Sequence, residues 1–192
     1  MQQKLTQETS LISESLPVQI RPMQEKDISQ VVAIDQLSFS MPWPERAYRY
    51  ELKENPHSLL WVAELEAKES SPAVIGLVVV WIILDEAHIA SIAVHPDFRG
   101  QGIAQRLLAS ALIGAYHSQV SQATLEVRAG NQAAQKLYRR FGFDTVGLRP
   151  RYYQDNQEDA LIMTLYNLGE SYLEWLAREG WKTETAPRGG EL

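Results

Sequence analysis

The stretch Ser-Ile-Ala-Val-His-Pro-Asp-Phe-Arg-Gly-Gln-Gly-Ile-Ala-Gln-Arg-Leu-Leu, residues 91–108, contains a strand, a turn and the start of a helix. The strand ends at Pro96, which has no N–H to donate to a sheet ladder. One helix face then collects the apolar residues Ile103, Leu107, Leu108, Ala111, Leu112 and Ala115. The turn Arg99-Gly100-Gln101-Gly102 carries two glycines, which let backbone N–H groups approach a ligand without Cβ obstruction. Because amides at a helix N-terminus attract anions, the stretch predicts a phosphate site.

The same residues are also compatible with an ordinary strand–turn–helix connection, in which glycine serves only the turn. A Walker loop is excluded because no Gly-Lys-Ser/Thr follows the turn. A Rossmann fingerprint is a poor match because the third glycine and the later acidic residue are missing. The residues alone therefore leave two interpretations open, a phosphate site and a plain connection.

The composition indicates one globular domain with a sizeable core: 192 residues, of which 45% are hydrophobic and 22% charged. The absence of cysteine excludes disulfides, thiolate metal sites and a cysteine nucleophile, and it fits a reducing compartment. A net charge of −6 argues against tight, non-specific binding of nucleic acid. The four histidines show no metal-ligand spacing, so we expect no metal.

The N-terminal residues lack the features of a secretory signal or a transit peptide. The longest apolar run, residues 73–84, is too short to span a bilayer and is interpreted as a buried strand. We therefore expect a cytoplasmic protein that has no membrane or nucleic-acid partner.

The pattern of elements predicts a mixed α/β domain over residues 18–166, in the order β-α-α-β-β-β-α-β-α-β-β. Residues 1–17 are expected to form a flexible leader, and residues 167–192 a helix at 167–180 followed by a disordered tail. A hairpin loop is predicted at 66–72. The predicted strands are 18–21, 58–65, 73–84, 88–94, 123–128, 143–148 and 160–166, and the other helices are 25–39, 44 to before 56, 103–117 and 131–141.

Two residues downstream of the turn carry groups suited to proton transfer. Glu126 lies inside a predicted strand, where glutamate is depleted, so it is either functional or a surface residue paired with Arg128. Tyr138 shares a helical stripe with apolar residues, where an aromatic side chain is commonly part of the core. The residues alone leave a catalytic and a structural interpretation open for both.

The pattern Arg99-x-x-Gly102-x-Ala104, after a strand ending Ile-Ala-Val-His-Pro, resembles the acetyl-CoA motif of the GNAT N-acetyltransferases. The order of elements matches that fold, which implies a single domain with a mixed, mostly antiparallel sheet flanked by helices. The resemblance implies that amides of the turn hold the pyrophosphate of coenzyme A and that the preceding strand pairs with the pantetheine arm. The implied acetyl-CoA contacts are Ile92, Ala93, Val94, Arg99, Gly100, Gln101, Gly102, Ile103, Ala104, Gln105 and Asn131.

A longer pattern resembles the RimI-type subgroup of this family, bacterial enzymes that acetylate the N-terminal alanine of ribosomal protein S18. The pattern is Leu-Glu-Val-Arg-x-x-Asn from residue 125, followed by Ala-x-x-Leu-Tyr-x-x-Phe-Gly-Phe from residue 134. The resemblance implies that Glu126 is the general base, Tyr138 the general acid and acetyl-CoA the co-substrate, without a metal. It also implies that the acceptor is a protein N-terminus and that Trp43, Tyr152 and Tyr153 lie beside it.

The chemistry of amines favours the same acceptor. An amine must be neutral to attack a thioester, and an α-amine has a pKa of about 8, against about 10.4 for lysine. Met41-Pro42-Trp43-Pro44 departs from the family's usual Phe-Pro-Trp-Ser. The hairpin loop, the leader and the C-terminal helix are additional segments that can alter the acceptor groove. Two alternatives stay open: an acetyltransferase that uses lysine or a small amine, and a non-catalytic acyl-CoA-binding module.

Overall fold

The computed structural model describes residues 17–65, 73–184 and 186–187; the predicted loop at 66–72 and nearly all of the predicted leader lie outside them. Short 3₁₀ turns precede α1 and α3 and follow α5. The elements in chain order are β1 (Val18–Pro22), α1 (Ile28–Ser38), α2 (Glu45–Lys53), β2 (Ser58–Leu65), β3 (Ala73–Ile83), β4 (Glu86–Val94), α3 (Ile103–His117), β5 (Gln122–Arg128), α4 (Gln132–Arg140), β6 (Asp144–Tyr153), β7 (Glu158–Leu165) and α5 (Glu170–Ala177).

The seven strands of the described residues form one sheet in the order β1-β2-β3-β4-β5-β7-β6. Neighbouring strands run antiparallel, except for the parallel pair β4 and β5. A parallel pair needs a long crossover connection, and α3 supplies it. The predicted mixed and mostly antiparallel sheet is therefore confirmed.

Helices cover both faces of this sheet. On one face, called the α1–α2 face, Val31, Ile34 and Tyr48 are buried against β2, β3 and β4. On the other, called the α3 face, the apolar stripe of α3 packs into the larger core cluster together with α4 and α5. Strand β5 follows the period-two rule: Leu125 and Val127 point to the α3 face, so Glu126 points to the α1–α2 face.

Strands β4 and β5 separate after only three paired positions. The pairs are Glu86–Gln122, Ala87–Ala123 and His88–Thr124, although β4 continues to Val94 and β5 to Arg128. A bulge at Ala90 explains the separation, because Val80 pairs with Ile89 and Val79 with Ser91, leaving Ala90 as an extra residue. Bulges bend the strand that carries them. The opening between the two strands beyond His88 is called the split.

Several element boundaries differ from the sequence-based expectation. Pro44 is the N-cap of α2 rather than its first residue, and α1 begins at Ile28 after a 3₁₀ turn. Strand β6 was predicted to end at Leu148 but continues to Tyr153. It is an edge strand and is exposed on both sides along most of its length, so its residues lack the apolar–polar alternation that marks a half-buried strand.

The chain after β7 packs into the core of the domain. Helix α5 buries Tyr172 and Trp175, and the 3₁₀ turn behind it buries Trp181. The phenyl ring of Phe141 meets the edge of Trp175 at 5.7 Å and stacks on Trp181 at 5.9 Å, while the Tyr172 hydroxyl donates to the Phe141 carbonyl at 2.7 Å. The predicted C-terminal helix is thus present over a shorter range. Most of the predicted tail lies outside the described residues.

None of the helices in the described ranges has the length and apolar character needed to cross a membrane. The described residues likewise contain no cluster of three or more histidine, aspartate or glutamate side chains arranged to hold a metal ion.

Candidate active site

The glycine turn has the backbone geometry that requires glycine. Gly100 and Gly102 have φ angles of +79° and +76°, in the left-handed region that other residues rarely adopt. Gly102 is the N-cap of α3, and no side chain of the described residues caps the first amides of that helix. A Cβ built at Gly100 would meet no atom within 4 Å, so open space adjoins the turn. Free amides beside open space fit an anionic group of a ligand.

Arg99 ties this turn to the neighbouring strand rather than pointing away from it. Its Nε donates to the carbonyl of Val94 at 3.0 Å, and its Nη2 donates to the Ser38 hydroxyl at 3.2 Å. The turn therefore sits against the end of β4 and the end of α1. The structure brings the predicted anion turn and the predicted pantetheine strand into one continuous surface.

Ile92, Ala93 and Val94 pair with Val78, Leu77 and Gly76 of β3 along one edge of β4. Their other edge faces the split, since pairing with β5 ends at His88. Such an edge presents N–H and C=O groups that have no partner strand. It can accept an extended ligand that carries amides of its own.

Glu126 lies at the margin of the split and is held by two side chains. Its carboxylate is 10% exposed, with Oε2 at 3.2 Å from His88 Nε2 and Oε1 at 3.0 Å from Arg149 Nη2. The approach of His88 follows from the topology: it is the last residue of β4 to pair with β5, opposite Thr124, and Glu126 is the next residue on that face of β5. The structural alternative of a pair between Glu126 and Arg128 is not observed.

Arg128 instead has polar partners in the α1–α2 loop and at the β6–β7 turn. Its guanidinium binds Asp155 at 2.8 Å and Glu158 at 3.0 Å, and it donates to the Ser40 hydroxyl at 3.2 Å. It also lies 3.8 Å above the centre of the Tyr153 ring. The α1–α2 loop and the β6–β7 turn are therefore linked at the end of β5, two residues beyond Glu126.

Tyr138 lies on α4 and is only 6% exposed, with its ring 5.9 Å from that of Phe143 in the core of the α3 face. Burial raises the pKa of its hydroxyl well above the usual value, and the nearby Tyr153 adds to that effect. Burial likewise raises the pKa of Tyr153 to about 12, where Arg128 opposes the shift and Glu126 adds to it. Tyr153 is thus close to both predicted acid–base residues, which lie on opposite faces of the sheet.

Asn131 has a structural role at the start of α4. Its side-chain oxygen accepts a hydrogen bond from the Ala134 N–H at 3.1 Å, the geometry of an N-cap. At the other end of α4, Gly142 has a φ of +83° just past the C-cap Phe141, as predicted for a helix stop. Asn131 and Gly142 thus determine where α4 begins and ends, and thereby the place of Tyr138 within the helix.

The predicted acceptor residues fall into two groups. Tyr152 and Tyr153 meet edge to face at 5.2 Å, and the guanidinium of Arg149 lies 5.4 Å from the Tyr152 ring. Trp43 belongs to the other group, in the α1–α2 loop, where its ring stacks on Trp81 at 5.8 Å. The two groups approach each other through the Arg128–Ser40 contact described above.

Three residues of this site were not predicted from the sequence. The histidine spacing indicates no role for His88, and no motif marks Trp81 or Arg149. Side chains alternate between the two faces of a strand, so the position of His88 within β4 indicates the sheet face on which its ring lies. Its approach to Glu126, however, depends on the parallel register of β4 and β5, which no local pattern reveals.

A basic groove continues from the turn on the outer side of α4. It is lined by Gln105 of α3 and by Lys136, Arg139 and Arg140 of α4, with Thr183 and Glu184 closing one side. Positive side chains beside an anion turn extend the favourable region for a ligand with several phosphates.

Comparison with known proteins agrees with this geometry. Residues 28–143 match the acetyltransferase (GNAT) family. A Bacillus subtilis (strain 168) protein, provisionally named a ribosomal protein bS18-alanine N-acetyltransferase, is 38% identical over 144 residues, which are 75% of this chain and 92% of that protein. The enzyme with that name from Escherichia coli (strain K12) is 32% identical over 148 residues, 76% of this chain and 95% of its own.

Solved structures give the same result. The crystal structure of the ribosomal-protein-S18-alanine N-acetyltransferase from Escherichia coli superimposes with a TM-score of 0.68 at 30% identity, covering 78% of this chain and 94% of that one. Ard1 from Thermoplasma volcanium superimposes with a TM-score of 0.70 at 27% identity, covering 79% and 99%. The anion turn, the split sheet and these matches together establish that the chain belongs to the GNAT family of acetyltransferases.

Proposed function

We propose that this protein transfers the acetyl group of acetyl-CoA to the N-terminal α-amine of a protein, and that its acceptor is the N-terminal alanine of ribosomal protein S18. The observation that carries the proposal is Glu126, a nearly buried carboxylate at the point where β4 and β5 separate. The names of the relatives from Escherichia coli and Bacillus subtilis supply the acceptor. A ribosomal acceptor also implies a cytoplasmic enzyme.

Acetyl-CoA would bind along the glycine turn and the free edge of β4. The pyrophosphate accepts hydrogen bonds from amides of the turn, and residues 92–94 of β4 pair with the amides of the pantetheine arm. The nucleotide end faces Lys136 and Arg139 in the basic groove. This arrangement brings the thioester to the split, where a β4 amide near Val94 can donate to the oxyanion.

The chemistry then needs one base and one acid. Glu126, directly or through a water molecule, takes a proton from the α-ammonium group, and the neutral amine attacks the thioester carbonyl. The C–N bond forms, the nitrogen releases its second proton to solvent, and the C–S bond breaks. The thiolate of coenzyme A leaves with the proton of the Tyr138 hydroxyl, which solvent then restores. The raised pKa of Tyr138 means that the hydroxyl keeps its proton throughout the neutral range and has one to donate. No metal enters these steps.

The acceptor N-terminus would lie beside Trp43, Tyr152 and Tyr153, on the side of Glu126. Arg149 occupies part of this region, since its guanidinium rests against the carboxylate that must receive the incoming ammonium. An acceptor cation can replace it there without leaving Glu126 uncompensated. The presence of both Glu126 and Tyr138 argues against the alternative of a non-catalytic acyl-CoA-binding module.

A competition between two peptides tests the proposed acceptor. One has the N-terminal sequence of ribosomal protein S18 with a free alanine, and the other is the same peptide blocked at its N-terminus with its lysines retained. Mass spectrometry after incubation with acetyl-CoA is expected to find acetate on the free alanine only. The lower pKa of an α-amine, about 8 against about 10.4, gives the reason. Faster acetylation of the blocked peptide would reassign the enzyme to lysine.

Replacement of a turn glycine tests the proposed cofactor site. Gly102→Val is expected to weaken acetyl-CoA binding at least tenfold, about 1.4 kcal/mol, because a φ of +76° is strained for valine and its branched side chain crowds the amides. Calorimetric titration with acetyl-CoA measures the change. Leu84→Val is the matched control: Leu84 also has a positive φ, of 56°, but lies at the exposed tip of the β3–β4 hairpin. Normal binding by a folded Gly102→Val protein would refute the assignment.

A further inference from the structure

Three rings form a continuous stack that leads from the α1–α2 loop to the carboxylate of Glu126. Trp43 lies on Trp81 with 5.8 Å between ring centres and 15° between ring planes. Trp81 lies on His88 with the same separation and the same angle. The far edge of His88 meets the carboxylate, with Nε2 at 3.2 Å from Oε2. Each ring therefore restricts the next, and the last one contacts Glu126.

The register of the sheet produces the inner part of the stack. Trp81 of β3 is the direct cross-strand partner of His88 on β4, on the α1–α2 face. The edge of the indole is fixed as well, because Trp81 Nε1 donates to Glu51 Oε2 of α2 at 3.0 Å. The indole therefore has both a packed face and an anchored edge.

The outer ring is anchored separately. The backbone N–H of Trp43 donates to Oδ2 of Asp35 at 2.6 Å, and Asp35 is only 1% exposed. The ring of Tyr48 also contacts that of Trp43, with 5.4 Å between the ring centres. Two acidic residues on two different helices, Asp35 and Glu51, thus hold the ends of the tryptophan pair.

We propose that Trp81 is a positioning residue, which fixes the plane of the His88 ring so that Nε2 stays against Glu126 during turnover. The torsion that rotates an imidazole is broad, so an unsupported histidine at this position would turn away at little cost. The charged groups around this contact are Glu126 and Arg149 on one side and Glu51 behind the indole. Trp43 packs on the outer face of Trp81, so the conformation of the α1–α2 loop also affects the position of the His88 ring beside the Glu126 carboxylate.

This inference rests on the proposed function only where it says what Glu126 does; the geometry of the stack is independent of it. We expect Trp81→Leu to lower kcat about tenfold to a hundredfold, the scale of a misplaced catalytic group, with KM for acetyl-CoA unchanged. Trp81→Phe keeps an aromatic face and should recover most of kcat. Trp61→Leu is the matched control, since Trp61 is a half-buried tryptophan of β2 that packs against Gly114 of α3.

A second measurement needs no turnover. In NMR spectra of the protein labelled at histidine, the His88 ring protons should be shifted upfield by the indole above them. That shift should disappear in Trp81→Leu and persist in Trp61→Leu. If Trp81→Leu does not fold, two variants of Glu51 replace it. Glu51→Ala removes the acceptor that holds the indole edge, so it should move the His88 signal and lower kcat. Glu51→Gln keeps an acceptor oxygen, so it should change neither the signal nor kcat.

Two results would overturn the proposal: an unshifted His88 signal in the wild-type protein, or a wild-type kcat in a Trp81→Leu protein that has lost the shift. If the shifts behave as expected while no peptide with a free N-terminal alanine is acetylated, the proposed acceptor fails. The stack around His88 would remain.

Discussion

Glu126→Gln is expected to lower kcat for acetyl transfer by roughly one hundred-fold or more, the usual contribution of a general base. Glutamine has the size of glutamate and can still accept from His88, so the site should keep its shape. What it loses is the ability to accept a proton, the role that we propose for Glu126. Steady-state kinetics with the free-alanine peptide measures the change.

Two controls separate this result from damage to the site. Acetyl-CoA affinity, measured by calorimetry, should be unchanged, because Glu126 does not belong to the turn. Arg149→Gln removes the other ion-pair partner of the carboxylate at a half-exposed position and should leave the turnover far less affected. A wild-type rate for Glu126→Gln from pH 6 to 9, a range that brackets the α-amine pKa of about 8, would remove Glu126 from the mechanism.

Tyr138→Phe is expected to lower kcat by roughly one hundred-fold, because the thiolate of coenzyme A would leave without its proton. Burial raises the pKa of this hydroxyl, so wild-type activity should show no loss from its ionisation between pH 6 and 9, the same range as above. Single-turnover kinetics under saturating acetyl-CoA isolates the chemical step from product release.

Tyr172→Phe is the matched control for that variant. It removes another buried tyrosine hydroxyl, which donates to the Phe141 carbonyl at 2.7 Å. Its loss should cost about 1 kcal/mol of unfolding free energy, the value of one hydrogen bond, and leave kcat unchanged. If Tyr138→Phe behaved in the same way, Tyr138 would be a core residue, the structural interpretation that its helical stripe also allows.

The parts of the fold that the sequence predicts well depend on local signals. Asn131 and Gly142 bracket α4 as expected, because an N-cap side chain and a left-handed glycine act within one helical turn. Gly100 and Gly102 were predictable for the same reason, because a positive φ is a property of the turn itself. The order of strands and helices also agrees, since hydrophobic periodicity within each segment determines it.

The surroundings of the candidate site were less predictable because they depend on contacts between distant segments. Glu126 was expected either to act as a base or to pair with Arg128, but it meets His88 and Arg149, which are 38 and 23 positions away in the chain. The sequence pattern predicts a loop over the second half of β6, which supplies Arg149. The bulge at Ala90 opens the split, and nothing in the strand sequence marks it.

The split also has a thermodynamic consequence. Among the described residues, strands β1–β4 and β5–β7 are joined through the sheet by three paired positions, so backbone groups at the split lack ladder partners there and a bound ligand can supply them. A ligand that bridges both halves binds the native state and not the unfolded chain. Acetyl-CoA at one hundred times its dissociation constant would then add about 2.7 kcal/mol to the free energy of unfolding. The melting temperature of this protein therefore becomes a reporter of co-substrate supply.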